Sequence, residues 1–247
     1  MDKIEVAILN PEAIALAEKT MVCTARLTQH GHEVKNLADF MDLYNKGYKK
    51  ETVKNMAALP HPTIQKFAVA NVVIVGASRR FLAQITRHQN EVKFMSASLQ
   101  YSNYSDAGDF VVPYEIMRTP REAAYLAQCK TAMEKYKLLV ESGIDNDAAG
   151  YLAPQGLRNI LLISATPYQW KHMIHQRTCR RNTPETRYVM LKIWEALYEQ
   201  SPALFSGCGP FCMQGKCQEG KMACATPLKK SLKPQDILRA DFPKLCE

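Results

Sequence analysis

Between Phe67 and Val75 the chain reads FAVANVVIV, and Gly76 follows. Nine residues this apolar and this rich in β-branched side chains suit a pleated, half-buried surface, so a strand ending at Gly76 is expected. Ser78 then stands as a helix N-cap, with Phe81, Leu82, Ile85 and the His88 region at roughly i, i+3, i+4, i+7 spacing. A strand running straight into a short basic helix is the feature around which the other elements must be arranged.

Those elements are mostly helical. Residues 11 to 29 keep helical spacing through Ile14, Ala17, Met21, Val22 and Ala25. Residues 36 to 58 predict one or two further helices, broken near Gly47, before Pro60-His61-Pro62. Phe110 to Ile116 is a second expected strand, which Pro113 places at an edge. A long helix is expected over 120 to 141, then a short one over Asp145 to Leu152, and an apolar strand over Leu157 to Ala165. Pro167 opens a helix carrying Trp170, Met173 and Ile174, and Pro184 opens the last, to about Tyr198. Helices outnumber strands without regular βαβ alternation, so the class is α+β. No GxGxxG follows a strand, which excludes a Rossmann dinucleotide fold. The 247 residues read as one domain, with a helical part over 1–57 and a Cys- and Lys-rich tail over 206–247.

With 47% hydrophobic and 23% charged residues, wholesale disorder is excluded. No apolar run reaches the roughly 18 residues of a membrane span, and the N-terminus lacks a signal-peptide pattern. A cytoplasmic protein without membrane contact is expected. The net charge of +8 fits anionic nucleotides, folate-like polyanions or nucleic acid. No helix-turn-helix or finger spacing is present, so nucleic acid is not expected as a partner. No metal site is expected either. Cys208, Cys212, Cys217 and Cys224 are spaced by four, five and seven, without CxxC pairs; a structural zinc is one reading there, and free thiols are the favoured one. Cys23, Cys129 and Cys179 are read as small buried hydrophobes within helices.

Two polar clusters stand out. The first has Arg79, Arg80 and Gln84 on the short helix, with Arg87 and His88 at its end. It continues into Ser96, Ser98, Gln100, Ser102 and Ser105 with Tyr101 and Tyr104 interleaved. An extended segment would point the even positions from Ser96 to Ser102 to one side. Forked guanidinium and short hydroxyl donors together suit a phosphate. The second cluster is Tyr168 to Arg187, where His172 and Gln176, and Lys171 and His175, make polar stripes on a helix ending at Arg177. From residue types alone, a solvated basic helix end followed by a surface loop is the favoured reading of the first cluster, and a basic helix C-terminus accounts for the second without a ligand.

The arrangement resembles the flavin-dependent thymidylate synthases, over about residues 58 to 225. Gln84, Arg87 and His88 match that family's Gln-x-x-Arg-His-Arg run, and Ser98, Tyr101 and Ser102 its Ser-x-Arg-Tyr run. Arg177, Cys179, Arg181 and Glu185 fit its second conserved region. His61 is what remains of a flavin- and folate-side run. Ala148 to Pro154 matches an Ala-Arg-x-x-Leu-Pro run, and the tail's Cys-x-Glu-Gly-Lys-Met-x-Cys core occurs in some members. Family arginines are replaced by Gln89, Gln100 and Gly150, and Arg80, Arg158 and Arg180 are the candidates to compensate.

The resemblance implies an antiparallel or mixed sheet flanked by helices. It also implies reductive methylation of deoxyuridylate (dUMP) at C5, with FAD as cofactor and NADPH and methylenetetrahydrofolate as co-substrates. His61, Arg87, His88, Gln89 and His172 would hold the flavin. Gln84, Ser98, Gln100, Tyr101 and Arg177 would hold the nucleotide, with Arg177 and Ser98 as the catalytic pair. Sites would form between subunits of a homotetramer, Ser98 and Arg177 coming from different chains. Hydroxymethylation of a related pyrimidine nucleotide, a flavin-free nucleotide-binding homologue and a basic nucleic-acid-binding protein are the other readings.

Overall fold

The strands are β1 (Glu5–Ile8), β2 (Ala70–Ser78), β3 (Val92–Ser96) and β4 (Arg158–Ala165), in a computed structural model that describes residues 1–215 and 217–246. They form one antiparallel sheet in the order β1-β2-β4-β3. The helices are α1 (Glu12–His30), α2 (Leu37–Asn45), α3 (Lys50–Ala57), α4 (Arg79–Ile85), α5 (Glu122–Glu141), α6 (Asn146–Ala149), α7 (Pro167–Arg177), α8 (Pro184–Gln200), α9 (Pro202–Phe205) and α10 (Pro234–Asp241). The α+β class and the antiparallel sheet agree with expectation. No helix among the described residues is long and apolar enough to cross a membrane.

The apolar run forms its strand three residues later than expected. Phe67 and Val69 are exposed, whereas Ala70, Val72 and Ile74 are buried. Gly76 does not end the strand. It carries φ 81° at a bulge between Val75 and Ala77, and a Cβ there would lie 2.5 Å from the Lys3 carbonyl. Glycine lets the strand bend past β1 and continue to Ser78. The expected strand over Phe110 to Ile116 is not regular: only Phe110 bridges, to Leu157, and Pro113's carbonyl turns the chain by accepting from Ile116 and Met117.

One face of the sheet carries Val72, Ile74, Leu161 and Ile163 into the core, where α8 lies. Helix α8 is buried on most sides, with Val189, Met190, Leu191, Ile193, Trp194 and Leu197 all inside. That is the pattern of a core helix rather than a one-sided surface helix. The opposite sheet face carries an uncovered apolar patch, flanked by exposed Glu5 and Lys93. Val75 pairs with Ile160, and Met95 with Leu162, and all four are exposed.

The C-terminal segment is docked rather than a loose tail. Ile237, Leu238 and Phe242 are buried, α10 packs on α8, and the Asp241 carboxylate accepts from Arg180 (2.7 and 3.1 Å) and from Arg187. Lys229, Lys230 and Lys233 do stay exposed, as their sequence suggests. A smaller cluster of Phe110, Cys129, Met133, Tyr136, Ala149 and Leu157 packs α5 against α6.

Candidate active site

Ser78 starts α4 by accepting from the Phe81 N–H at 3.1 Å. It is fixed in turn by Glu185, whose half-buried carboxylate accepts from the Ser78 N–H (2.7 Å) and hydroxyl (2.6 Å). Burial pushes the Glu185 carboxyl above its usual range, against the pull of those two bonds. Glu185 thus locks the start of α8 onto the β2–α4 junction. Gln84 adds a second lock: its side-chain oxygen accepts from Thr183 (3.1 Å) and Thr186 (2.6 Å).

With α4 and α8 tied, the end of α4 meets the end of α7. Arg177 donates from Nε to His88 Nε2 at 2.7 Å and from Nη2 to the Gln84 carbonyl at 3.0 Å, and Asn182 Oδ1 lies 3.5 Å from Nη1. Helix α7 sends Trp170, Met173 and Ile174 inward, and Trp170 Nε1 donates to the Ala70 carbonyl. His172 and Gln176 therefore face outward. They line a groove of about 500 Å³ with Arg87, His88, Gln89 and Arg177. The His88 and His172 rings meet edge to face, 6.0 Å apart. Lys171 and His175, the other stripe of α7, are packing residues: Lys171 donates to Gln65 Oε1, and His175 Nδ1–H to the Gly209 carbonyl.

His88 accepts from Arg177, so its Nε2 carries a lone pair and the ring is neutral with its proton on Nδ1. Burial first, then the Arg177 charge and His172, push its pKa from 6.5 down to about 4. The unfolded chain takes up this proton near the ordinary histidine value, while the folded chain refuses it until about pH 4. The fold is therefore expected to lose stability progressively as pH falls from about 6.5 to 4, with no His88 contribution to pH dependence above that window. Urea midpoints across it should fall less steeply in His88→Gln; an identical slope in the variant assigns the effect elsewhere.

A second groove, also about 500 Å³, is lined by Arg79, Ser96, Ser98, Gln100, Asp147 and Gly150, among others. The expected extended segment from Ser96 to Ser102 is absent, because the strand stops at Ser96. Ser98 folds a turn instead: its hydroxyl accepts from the Gln100 and Tyr101 N–H groups (3.1 and 3.4 Å) and its carbonyl from Ser102. Ser98 and Gln100 line this groove, while Tyr101 stands 83% exposed beyond it.

The two grooves share no lining residue. They open at the two ends of α4, whose Arg79 and Ile85 are six residues, roughly 9 Å, apart along the axis. Arg87, His88, Gln89, His172 and Arg177 are thus brought together, with Gln84 behind them, and Ser98 and Gln100 gather elsewhere. His61, exposed before a 3₁₀ turn (Pro62–Gln65), lines neither groove.

The three candidate compensating arginines are committed elsewhere. Arg80 holds Gln155, Arg158 holds the Gly76 carbonyl with Asp2 and Asp109, and Arg180 holds Asp241 and the Thr226 carbonyl. The cation of the second groove is Arg79, which the sequence groups with Gln84, Arg87 and His88 in one polar cluster. It makes a long 3.5 Å bond to the Ala97 carbonyl. The pairing of β3 with β4, which brings residues 96–98 beside the start of α4, is what places it in this groove and not in the first.

Comparison with known proteins identifies the family. The family model described as thymidylate synthase complementing protein matches residues 12–203. A flavin-dependent thymidylate synthase of Geobacter sulfurreducens is 24% identical over 184 residues, covering 73% of this chain and 79% of that protein. One from Thermococcus kodakarensis is 30% identical over 174 residues, 66% of this chain and 69% of that protein. Among solved structures, thymidylate synthase X from Helicobacter pylori with FAD and dUMP superposes with a TM-score of 0.61 at 18% identity, over 82% of this chain and 97% of that one. The UMP/dUMP methylase PolB from Streptomyces cacaoi, bound with 5-Br dUMP, gives 0.64 at 15%, over 83% and 94%. These structural likenesses carry the fold.

Fold and family together define a transferase class. The chain belongs to the flavin-dependent thymidylate synthase family, as a divergent member.

Proposed function

We propose that this protein methylates C5 of dUMP, using FAD with NADPH and methylenetetrahydrofolate as co-substrates. The observation that carries the reading is Arg177. It is pinned through His88, the Gln84 carbonyl and Asn182, beside two imidazoles at the mouth of a groove. The residues fit a flavin there: His88 is a neutral ring edge, His172 faces it, and exposed Arg87 offers charge to a diphosphate. Reduced FAD, when bound, supplies the hydride that completes the methyl group.

The protein's part is to bind and orient. Arg87, His88, Gln89 and His172 hold the cofactor, and Arg177 presents the nucleotide to it. Ser98, Gln100 and Arg79 hold the nucleotide from the second groove. There Arg79 replaces the charge absent at Gln100 and Gly150. Because the grooves share no residue, a complete site is assembled from two copies, with His61 reaching a neighbouring copy's groove. The uncovered apolar face around Val75, Ile160, Leu162 and Met95 offers surface for such a homotetramer.

The altered second groove motivates one other reading, modification of a different pyrimidine nucleotide or hydroxymethylation at C5. The PolB likeness, to a methylase of both UMP and dUMP, supports keeping it. Incubation with dUMP or UMP and the full set of co-substrates, followed by mass spectrometry, separates the readings. Addition of one CH₂ to dUMP alone supports thymidylate synthesis. A hydroxymethyl product or preferred turnover of UMP supports the alternative. No product from either nucleotide contradicts both.

A further inference from the structure

Three of the five tail cysteines gather around one small cavity, and the fourth member of the group comes from elsewhere. Cys212, Cys217 and Cys224 line a space of about 20 Å³ together with Cys179, in the turn between α7 and α8. Cys208, which spacing groups with the tail, is instead fully buried, its thiol pKa pushed up to about 12 by that burial. Cys179 is half-buried at the cavity rather than inside a helix. A space of this size is about that of one water-sized sphere, so it admits a single ion and not a nucleotide or an iron–sulfur cluster.

We infer that Cys179, Cys212, Cys217 and Cys224 form a structural zinc site. Four thiolates in a tetrahedron are a closed zinc set, and soft sulfur ligands select zinc over hard cations such as magnesium. Zn²⁺ and four thiolates sum to a net charge of −2; Arg180, itself paired with Asp241, and Glu219 line the same cavity. The Leu228 N–H donates to Cys212 Sγ at 3.4 Å, the outer-shell bond that orients a thiolate ligand. The backbone is already folded back over the site, since Arg180 Nη1 holds the Thr226 carbonyl at 2.7 Å.

The sulfurs surround the cavity without yet converging on it. Among the described residues no three His, Cys, Asp or Glu side chains are close enough to hold an ion. Reaching the roughly 2.3 Å Zn–S distance needs thiol rotation and an inward shift of the tail segment. Gly209, Gly215 and Gly220, at φ 109°, 144° and 54°, make the turns of that segment in a backbone region that favours glycine. Four thiols become four thiolates on binding, so their protons leave to solvent as Zn²⁺ enters. The bound ion would tie the tail to the α7–α8 turn. That turn holds Arg177, since Asn182 receives Arg177 Nη1 and donates Nδ2–H towards the Cys179 carbonyl.

The test is metal content of the full chain, purified from zinc-supplemented medium and gel-filtered without chelator. One zinc per chain is expected, falling to background in Cys217→Ser and Cys224→Ser. Replacement by Co²⁺ should give thiolate-to-cobalt charge-transfer bands and the intense visible bands of a tetrahedral tetrathiolate. If a variant fails to fold, the wild-type stoichiometry and cobalt spectrum still decide. Wild-type chain without zinc and without cobalt–thiolate bands overturns the assignment. So does metal-free protein lighter by two hydrogens for a disulfide among these cysteines.

Discussion

Arg177→Ala should raise the dissociation constant for dUMP by at least about 10²-fold. A hydrogen bond to a charged group contributes about 1.5–3 kcal/mol, and a guanidinium fork offers two to a phosphate. Two such bonds at 1.4 kcal/mol per tenfold account for roughly 10²–10⁴. The position is built for that purpose. Gln84, His88 and Asn182 hold the guanidinium before any ligand arrives, so little rotamer freedom is left to lose on binding. Arg177→Lys should not restore affinity, because an ammonium cannot bond His88 and a phosphate through one planar fork. Titration calorimetry with dUMP measures both variants, and unchanged affinity removes Arg177 from the site.

The second large effect is complementation. Arg79→Ala and Arg177→Ala should each be nearly inactive alone, because each strips one groove of its phosphate-facing cation. Mixed one to one through reversible dissociation, they should regain about a quarter of wild-type turnover. Random pairing leaves one site in four with Arg79 intact on one copy and Arg177 intact on its neighbour. Sites built within single chains would stay inactive in the mixture, since every chain carries one lesion. Turnover of the mixture against the separate variants therefore decides where the site is built.

Much of the fold was legible because strongly periodic segments declare themselves. Helix α1 buries Ile14, Ala17 and Met21 at the spacing the sequence shows, and α7 and α8 begin at their prolines. What escaped was short or decided by tertiary contact. Strand β1 alternates exposed and half-buried residues over only four positions and exists because β2 offers it an edge. Strand β3, VKFMS, is equally short and pairs with β4 some seventy residues away. Helix α10 is fixed by Asp241 meeting two distant arginines, which no local pattern reveals.

The candidate site divides the same way. Gln84, Arg87 and His88 share one short segment, so their grouping could be read directly, and the family pattern added Arg177. Arg79 was grouped with them but lines the other groove, because Ala97, whose carbonyl it meets, is carried there by the pairing of β3 with β4. Cys179 escaped because it joins cysteines more than thirty residues away. Ser98 takes a backbone form the sequence did not suggest: a serine's preference for bonding N–H groups two and three residues on makes a turn where polar alternation suggests a strand.

The most direct test of the central claim is the visible spectrum of the purified protein before and after adding FAD and gel filtration. The account predicts a retained flavin band, bleached by NADPH and restored on adding dUMP with methylenetetrahydrofolate. A colourless protein that retains no added FAD would contradict it, and would mean that the groove at His88 and His172 serves a nucleotide alone.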